Sequence, residues 1–244
     1  MRLNTAFAAA LCVLTLPALA ACGSAAATPS PPTLPAGHVS LDSCVQPSDQ
    51  ARAVTFSAAD EQVPGAEFGG GTVGVVLAHE YMANLCGWVA YAKHLRDLGY
   101  RALAFDFRTH LAVDVSGAAQ QLRSDGATRI VLVGASMGGT GALVAAASST
   151  QSIAAVAALS APTSFMGLDG LAASRQLTLP VLFMAAQDNG EFPGDARAMY
   201  AACPSAHKQL EVLSGSDHGT QLLRGSVAAQ AMSLLDTFIA TSAA

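Results

Sequence analysis

A serine flanked on both sides by glycines, each two residues away, is the best-placed candidate nucleophile in this chain. It lies in the pentapeptide Gly134-Ala135-Ser136-Met137-Gly138, directly after an apolar, strand-like run and directly before a helix-like stretch. Glycines at these two places allow the tight strand-to-helix turn that strains the backbone of the serine and exposes its hydroxyl. The start of the helix then points its amide groups at developing negative charge. The alternative is a glycine-rich turn that only caps a helix.

A serine hydroxyl needs a base, and His218 is the histidine predicted to take that role. It stands in the polar segment Gly-Ser-Asp-His-Gly at 215–219, between a strand-like run at 209–213 and the last helix-like stretch. A loop at that place can reach over the carboxyl edge of a parallel sheet, and the base is expected to follow the nucleophile along the chain. The remaining histidines have less suitable surroundings, and they are His38, His79, His94, His110 and His207.

Asp188 is the carboxylate predicted to orient His218. It follows an apolar, strand-like run at 181–186 and lies between the serine and the histidine in sequence. This carboxylate is expected to accept the Nδ1 proton of the imidazole and to stabilise the imidazolium that forms during the reaction. Asp195 and Asp217 are the alternatives. The first begins a helix-like stretch, and the second, next to the histidine, is expected to point elsewhere.

Acyl transfer also needs hydrogen-bond donors for the oxyanion that forms at the attacked carbonyl. The backbone N–H of Met137, directly after the nucleophile, is one expected donor. The other is expected in the loop after the run at 73–78, where Tyr81 is the preferred position and Glu80 the alternative. We expect His79 to hold this loop through a side-chain hydrogen bond.

Short apolar runs alternate along the chain with stretches of helical periodicity. The runs are nearly continuous in apolar residues, which is typical of parallel strands covered on both faces. This alternation predicts an α/β fold with a doubly wound, mostly parallel sheet, in which ligands bind outside the carboxyl ends of the strands. The predicted edge hairpin is 52–58 and 65–71, the further strands are 73–78, 102–107, 130–133, 153–159, 181–186 and 209–213, and the helices are 88–98, 113–123, 139–147, 195–202 and 220–239.

The order of these motifs resembles the α/β-hydrolase superfamily from about residue 52 to the C-terminus. In detail the chain resembles small members that have no lid, including the group similar to dienelactone hydrolase. The resemblance implies an α/β-hydrolase fold and a Ser-His-Asp triad made of Ser136, His218 and Asp188. The matching segments are Val75-Val76-Leu77-Ala78-His79-Glu80, Gly134-Ala135-Ser136-Met137-Gly138-Gly139, Gln187-Asp188 and Asp217-His218-Gly219.

Two departures from the dienelactone-hydrolase group bear on the activity. That group uses a cysteine nucleophile where this chain has Ser136, so its ring-opening substrate is not carried over. Many relatives have His-Gly where this chain has His79-Glu80, and the resemblance implies that Glu80 lies near the serine and modulates it. A solvated loop carboxylate is the alternative. Only about twenty residues separate 159 from 181, which leaves no room for a cap domain and predicts an open site.

The composition suits one domain of ordinary size with a full core. Of the 244 residues, 52% are hydrophobic and 12% are charged. The net charge of −5 does not suggest a basic surface of the kind that binds nucleic acid. We therefore expect no nucleic acid as a partner. The predicted triad implies a small ester as the substrate, and we expect neither a metal ion nor a cofactor.

The first 21 residues are predicted to be a lipoprotein signal peptide. Residues 6–20 form an apolar run that is too short to span a membrane, and Leu-Ala-Ala-Cys at 19–22 resembles a bacterial lipobox. Cys22 is then expected to carry lipid chains that anchor the protein to the cell membrane, facing the periplasm or the exterior. Residues 22–40 are expected to be a flexible Pro/Ala/Ser tether, and 41–244 the hydrolase domain. The alternative is an ordinary cleaved signal peptide.

Three cysteines, Cys44, Cys86 and Cys203, remain beyond the leader and the lipidated residue. An exported chain meets an oxidising environment, in which one pair of them can be bridged. Spacing alone does not choose among the three pairings. We prefer Cys44 with Cys86, since that bridge would fasten the incoming segment to the loop after an early strand. The alternative is three buried free thiols.

The sequence therefore predicts a serine hydrolase that cleaves carboxylic esters through an acyl-enzyme at the cell envelope. Two alternatives stay open at this point. One is transfer of the acyl group to an envelope acceptor by the same three residues, and the other is a catalytically inactive binding lipoprotein.

Overall fold

Strands and helices alternate along residues 42–242, the part of the chain that the computed structural model describes. The strands in this part are β1 (Arg52–Ala58), β2 (Glu61–Phe68), β3 (Val73–Ala78), β4 (Arg101–Phe105), β5 (Arg129–Ala135), β6 (Ala155–Leu159), β7 (Ser164–Phe165), β8 (Leu168–Asp169), β9 (Val181–Ala186) and β10 (Lys208–Leu213). The α-helices are α1 (Val89–Asp97), α2 (Leu111–Ser124), α3 (Met137–Ser148), α4 (Gly170–Ser174), α5 (Phe192–Ala202) and α6 (Ala228–Ser242). Short 3₁₀ helices cover Pro47–Asp49, Leu85–Gly87 and Gly219–Leu223.

Eight of the described strands form one sheet in the order β1-β2-β4-β3-β5-β6-β9-β10. The pairs β1–β2 and β2–β4 are antiparallel, and all the other pairs are parallel. This topology confirms the predicted α/β fold with a mostly parallel sheet. The strand order reverses around β3, so that helices cover both faces of the sheet.

The two faces of the sheet carry separate apolar cores, and successive residues of β3 contribute to opposite ones. Val75 and Leu77 belong to the core with Trp88 and with Phe238 of α6. Val76 belongs to the core on the other face, which is completed by side chains of α2, α3 and α5. Burial on both faces explains why every residue of β6 and β9 is buried and why these runs are continuously apolar.

The carboxyl ends of the central strands meet at one edge of the sheet. Ala78 at the end of β3 pairs with Gly134 in β5, and Ala135 at the end of β5 pairs with Leu159 at the end of β6. Strand β9 continues the row, since Leu159 pairs with Met184. The loops that follow these strands therefore lie side by side, and they carry the predicted chemistry.

The second strand of the edge hairpin begins at Glu61, earlier than the predicted start at residue 65. Proline is unusual within a strand because it donates no ladder hydrogen bond, yet Pro64 lies inside β2. In the structure Pro64 pairs with Thr55 in register, and its carbonyl accepts a hydrogen bond from the amide of Asp106. The β1–β2 ladder therefore accommodates the pyrrolidine ring of Pro64.

The predicted last helix is divided into the 3₁₀ helix Gly219–Leu223 and α6. The break lies at Gly225, where a Cβ would come within 2.1 Å of the carboxylate of Asp217. That carboxylate also accepts a hydrogen bond from the amide of Ser226. Asp217 thus holds the turn that ends the 3₁₀ helix, and its side chain is directed there.

A disulfide joins Cys44 to Cys86, with 5.7 Å between their Cα atoms. It fastens the segment that enters the domain to the loop between β3 and α1, which is the place expected from the sequence. Cys203 has a free, buried thiol at the end of α5.

The predicted signal peptide, the Cys22 anchor and the tether up to residue 40 lie outside the described residues. Within 42–242, no helix is both long enough and apolar enough to cross a membrane.

Candidate active site

Ser136 occupies a strained turn between β5 and α3. Its backbone has φ 49° and ψ −117°, a region that side-chain-bearing residues rarely adopt outside functional sites. The amide of Ser136 donates to the carbonyl of Leu159 at 2.7 Å, and its carbonyl accepts from the amide of Gly139 at 2.9 Å. The turn is therefore held on both sides, and only 7% of the serine is exposed.

The two glycines of the pentapeptide are required by close backbone contacts. A Cβ at Gly134 would lie 2.1 Å from the carbonyl oxygen of Gly138, and a Cβ at Gly138 would lie 2.3 Å from that of Ala78. Both separations are far shorter than a van der Waals contact. The strained serine conformation thus depends on the absence of side chains at these positions.

His218 lies in the loop after β10, and a side-chain amide holds its ring. Its Nδ1 is 2.8 Å from Oδ1 of Asn189, and its ring packs against Phe192 with 4.3 Å between centroids. The Nδ2 group of Asn189 donates to the carbonyl of Ser216 at 3.3 Å, which directs Oδ1 toward the imidazole. Because Oδ1 is only an acceptor, this contact requires the proton on Nδ1 and leaves Nε2 of the neutral ring unprotonated.

Asn189, and not Asp188, is the neighbour of His218 in this structure, which corrects the interpretation of the sequence by one residue. The side chain of Asp188 is exposed and takes no hydrogen bond within the described chain, while its amide donates to the carbonyl of Gly215 at 2.8 Å. The amide of Asn189 donates to the carbonyl of Ala186 at 3.3 Å, and this turn places the side chain of Asn189 at the sheet edge. The sequence presents two adjacent polar residues, and nothing local indicates which one that turn selects.

The loop that carries His218 is fastened directly against the serine turn. The amide of Gly219 donates to Oγ of Ser160 at 3.2 Å, and Ser160 is fully buried at the end of β6. A Cβ at Gly219 would lie 3.4 Å from Cβ of Ala135, the residue before Ser136. No hydrogen bond joins Ser136 Oγ to His218 within the described residues, and such contacts commonly shorten only when substrate binds.

Glu80 is tied to the same loop and is not a freely solvated carboxylate. Its Oε1 accepts from Oγ1 of Thr220 at 2.6 Å, and that hydroxyl accepts in turn from Nη2 of Arg224 at 2.7 Å. Its Oε2 is buried without a hydrogen bond in the described structure. A Cβ at Gly219 would come within 3.5 Å of Oε2, so the negative charge lies beside the residue that follows His218.

The expected oxyanion donors, the amides of Met137 and Tyr81, border the same edge of the sheet. Met137 begins α3, and its N–H is among the first helical amides, which have no acceptor within the helix. Neither N–H donates to a backbone carbonyl in the described chain. The loop before Tyr81 is held by His79, whose Nδ1 donates to the carbonyl of Glu80 at 2.7 Å and whose Nε2 accepts from the amide of Phe107 at 3.2 Å.

The comparisons with known proteins begin with a family model described as "Putative esterase", which matches residues 107–231. The chain belongs to this esterase family. This esterase is thus a hydrolase of carboxylic esters, and the matched segment includes Ser136, Asn189 and His218. A search of curated protein sequences finds no match to it.

Several solved structures share the fold of this esterase. The esterase Pf2001 of Pyrococcus furiosus is 16% identical, with a TM-score of 0.67 over 81% of this chain and 95% of that one. Dienelactone hydrolase from Anabaena variabilis is 20% identical, with a TM-score of 0.67 over 78% and 97%. An esterase from Thermogutta terrifontis is 17% identical, with a TM-score of 0.62 over 79% and 99%. These likenesses establish the α/β-hydrolase architecture.

The pKa of His218, the predicted base, gives an expectation for how the activity depends on pH. Burial lowers this pKa below the ordinary histidine value of 6.5, and the charges of Glu80 and Glu191 oppose the shift without cancelling it. A lowered pKa keeps the imidazole neutral, and able to accept a proton, at more acidic pH. We expect kcat/KM for a non-ionising ester to fall with a midpoint below 6.5 as the pH is lowered. A midpoint above 6.5, measured where the protein is still folded, would contradict this expectation.

Proposed function

We propose that this esterase cleaves its substrate through an acyl-enzyme on Ser136, with His218 as the base and Asn189 as the group that orients the base. The observation that carries the proposal is the contact between His218 Nδ1 and Asn189 Oδ1 on a loop packed against the strained serine turn. This contact leaves Nε2 unprotonated on the remaining side of the ring, as a general base requires.

The proposed reaction has two halves that use the same groups. Ser136 Oγ bonds to the ester carbonyl carbon while its proton passes to His218 Nε2, and the amides of Met137 and Tyr81 stabilise the oxyanion. The bond to the alcohol then breaks, and His218 returns the proton to the departing oxygen. Water attacks the acyl-enzyme next, giving one proton to His218, which passes it to Oγ as the acid leaves.

An amide at position 189 can perform only one of the two tasks of a triad carboxylate. It holds the imidazole in the right tautomer, but it has no charge with which to stabilise the imidazolium. We infer that Glu80 supplies that charge, since its carboxylate is partly buried, lies beside Gly219 and opposes the loss of a proton from His218. Orientation and charge are thus divided between Asn189 and Glu80, and Glu80 acts as a positioning and electrostatic residue.

We further propose that the enzyme is tethered to the cell envelope through a lipidated Cys22. The support is the sequence pattern alone, a short apolar leader that ends in Leu-Ala-Ala-Cys at 19–22, followed by a linker rich in Pro, Ala and Ser.

Replacement of either reacting side chain should almost abolish turnover. Ser136→Ala and His218→Ala should each lower kcat by about 10⁴- to 10⁶-fold, and the double variant should be little worse, because the two groups act as a unit. Ester hydrolysis and labelling by a fluorophosphonate measure the effect, and thermal unfolding confirms that the variants are folded. A folded Ser136→Ala protein with normal esterase activity would exclude the proposed nucleophile.

The division of orientation and charge between Asn189 and Glu80 predicts a specific pattern among variants of Glu80, Asn189 and Asp188. Glu80→Gln should lower kcat/KM on the order of 10-fold. It should also move the acidic limb of the pH–kcat/KM profile to lower pH, because a negative charge that favours the imidazolium form of His218 is lost. Asn189→Asp should raise that limb by about one pH unit and should restore most of the activity of Glu80→Gln, so that the two effects are not additive.

The matched control is Asp188→Asn, which removes an exposed neighbouring charge and should change neither rate nor pH profile. If Asp188→Asn were crippling and both changes at Asn189 and Glu80 were harmless, Asp188 would be the acid and the divided arrangement would be wrong. Unfolding temperatures measured beside the rates separate loss of function from loss of fold.

The anchor is tested by cell fractionation of the full-length protein. The wild type should sediment with membranes and carry lipid on Cys22, whereas Cys22→Ser should not be lipidated. Cys12→Ser, which changes the other leader-region cysteine, should behave like the wild type. Wild-type protein found free in the medium, with an unmodified Cys22 thiol, would contradict the tether.

A further inference from the structure

Exposed apolar side chains in the described chain gather beside the nucleophile. The large apolar residues with strong exposure in residues 42–242 are Tyr81, Met82, Leu98, Val113 and Met166. All except Leu98 line one cleft of about 540 Å³, together with Met137 and Leu168 and the polar residues Arg108, Thr109 and His110. Single exposed apolar residues are normal on a protein surface, but a contiguous group of them is typical of a binding site.

Two methionines at the rim of this cleft are unfavourable both in conformation and in exposure. Met82 is 90% exposed with φ 59°, and Met166 is 76% exposed with φ 44°. Met166 and Gly167 form the two-residue turn of the β7–β8 hairpin, and both have positive φ, which favours Asn-Gly at such a turn. Because neither burial nor local structure favours methionine here, a role in binding explains both residues.

The position of the cleft relative to the proposed catalytic groups decides which part of an ester it can hold. Its lining includes Tyr81 and Met137, whose amides are the proposed oxyanion donors, but neither His218 nor Asn189. In the proposed mechanism His218 must give a proton to the departing alcohol, so the alcohol lies on the histidine side of the carbonyl. The acyl group then lies away from His218, and the cleft is the apolar space that borders the proposed oxyanion donors without including the histidine.

We propose that this cleft binds an unbranched, apolar acyl group of medium length, which makes medium-chain acyl esters the substrate class of the enzyme. This inference rests on the proposed function of Ser136 and His218. Methionine side chains are flexible and polarisable, and they adapt to a chain of variable conformation. The ring of Tyr81 packs against Phe165 at 5.5 Å and gives the cleft one firm wall.

A series of p-nitrophenyl esters tests the acyl group alone, because the leaving group is constant. With the full-length enzyme and esters kept below their micellar concentrations, kcat/KM should rise about 10- to 100-fold from acetate to hexanoate, since each buried methylene contributes up to about fourfold. The double variant Met82→Asn, Met166→Asn should reduce this hexanoate-to-acetate ratio to about threefold. Asparagine suits positive φ, so the unfolding temperature should be unchanged or higher.

Leu98→Asn is the matched control, since Leu98 is an exposed apolar residue outside the cleft, and the ratio should stay as in the wild type. A wild type that hydrolyses acetate with no preference for longer chains would overturn the acyl proposal and leave the catalytic one standing. Hydrolysis of no ester at all would instead be a failure of the proposed function.

Two further outcomes would also overturn the acyl proposal. In the first, the double variant has the hexanoate-to-acetate ratio of the wild type but responds differently to the length of the alcohol among alkyl acetates. The cleft then holds the alcohol. In the second, the double variant has the wild-type ratio but binds phosphatidylglycerol vesicles more weakly than the wild type, and the methionines then contact a lipid surface.

Discussion

The strained backbone of Ser136 is the constraint on which the rest of the site depends. A positive φ at a serine costs on the order of 1–3 kcal/mol and persists only where the surroundings impose it. Here the surroundings are the ends of three parallel strands, buried on both faces, and the glycine backbone at 134 and 138, which packs without room for a side chain. The apolar strands are thus more than a core, because their rigidity holds Ser136 in a conformation that the chain would otherwise leave.

A neutral partner for His218 changes what the other groups near it must supply. Asn189 determines the tautomer through Oδ1, and the buried position of the ring favours the uncharged base. In the proposed mechanism, the charge that forms on His218 is balanced by the partly buried carboxylate of Glu80, which Thr220 holds. The buried, unpaired Oε2 is costly for stability, and that cost is typical of a group kept for function.

The short connection between β6 and β9 brings an exposed apolar side chain to the cleft. The β7–β8 hairpin and α4 form this connection, and the hairpin contributes Met166 to the lining of the cleft. Exposed apolar side chains are unfavourable for solubility. The proposed binding of an acyl chain would cover this surface when substrate is bound.

Local sequence patterns were sufficient to predict the fold and the strand-to-helix turn at Ser136. The predicted bounds of β3 and β9 agree with the structure, because an uninterrupted apolar run is what a strand buried on both faces requires. The turn at Ser136 was predictable for a similar reason, since its two glycines and its position between strand and helix are properties of neighbouring residues.

Contacts between distant segments were decided only by the tertiary structure. The choice of Asn189 over Asp188 depends on a turn that is paired with Gly215, and the contact between Glu80 and Thr220 spans 140 residues of sequence. The cleft likewise needs four separate segments. A strand is determined by its own residues because burial acts on each of them, whereas a catalytic contact depends on where two loops end after the sheet has formed.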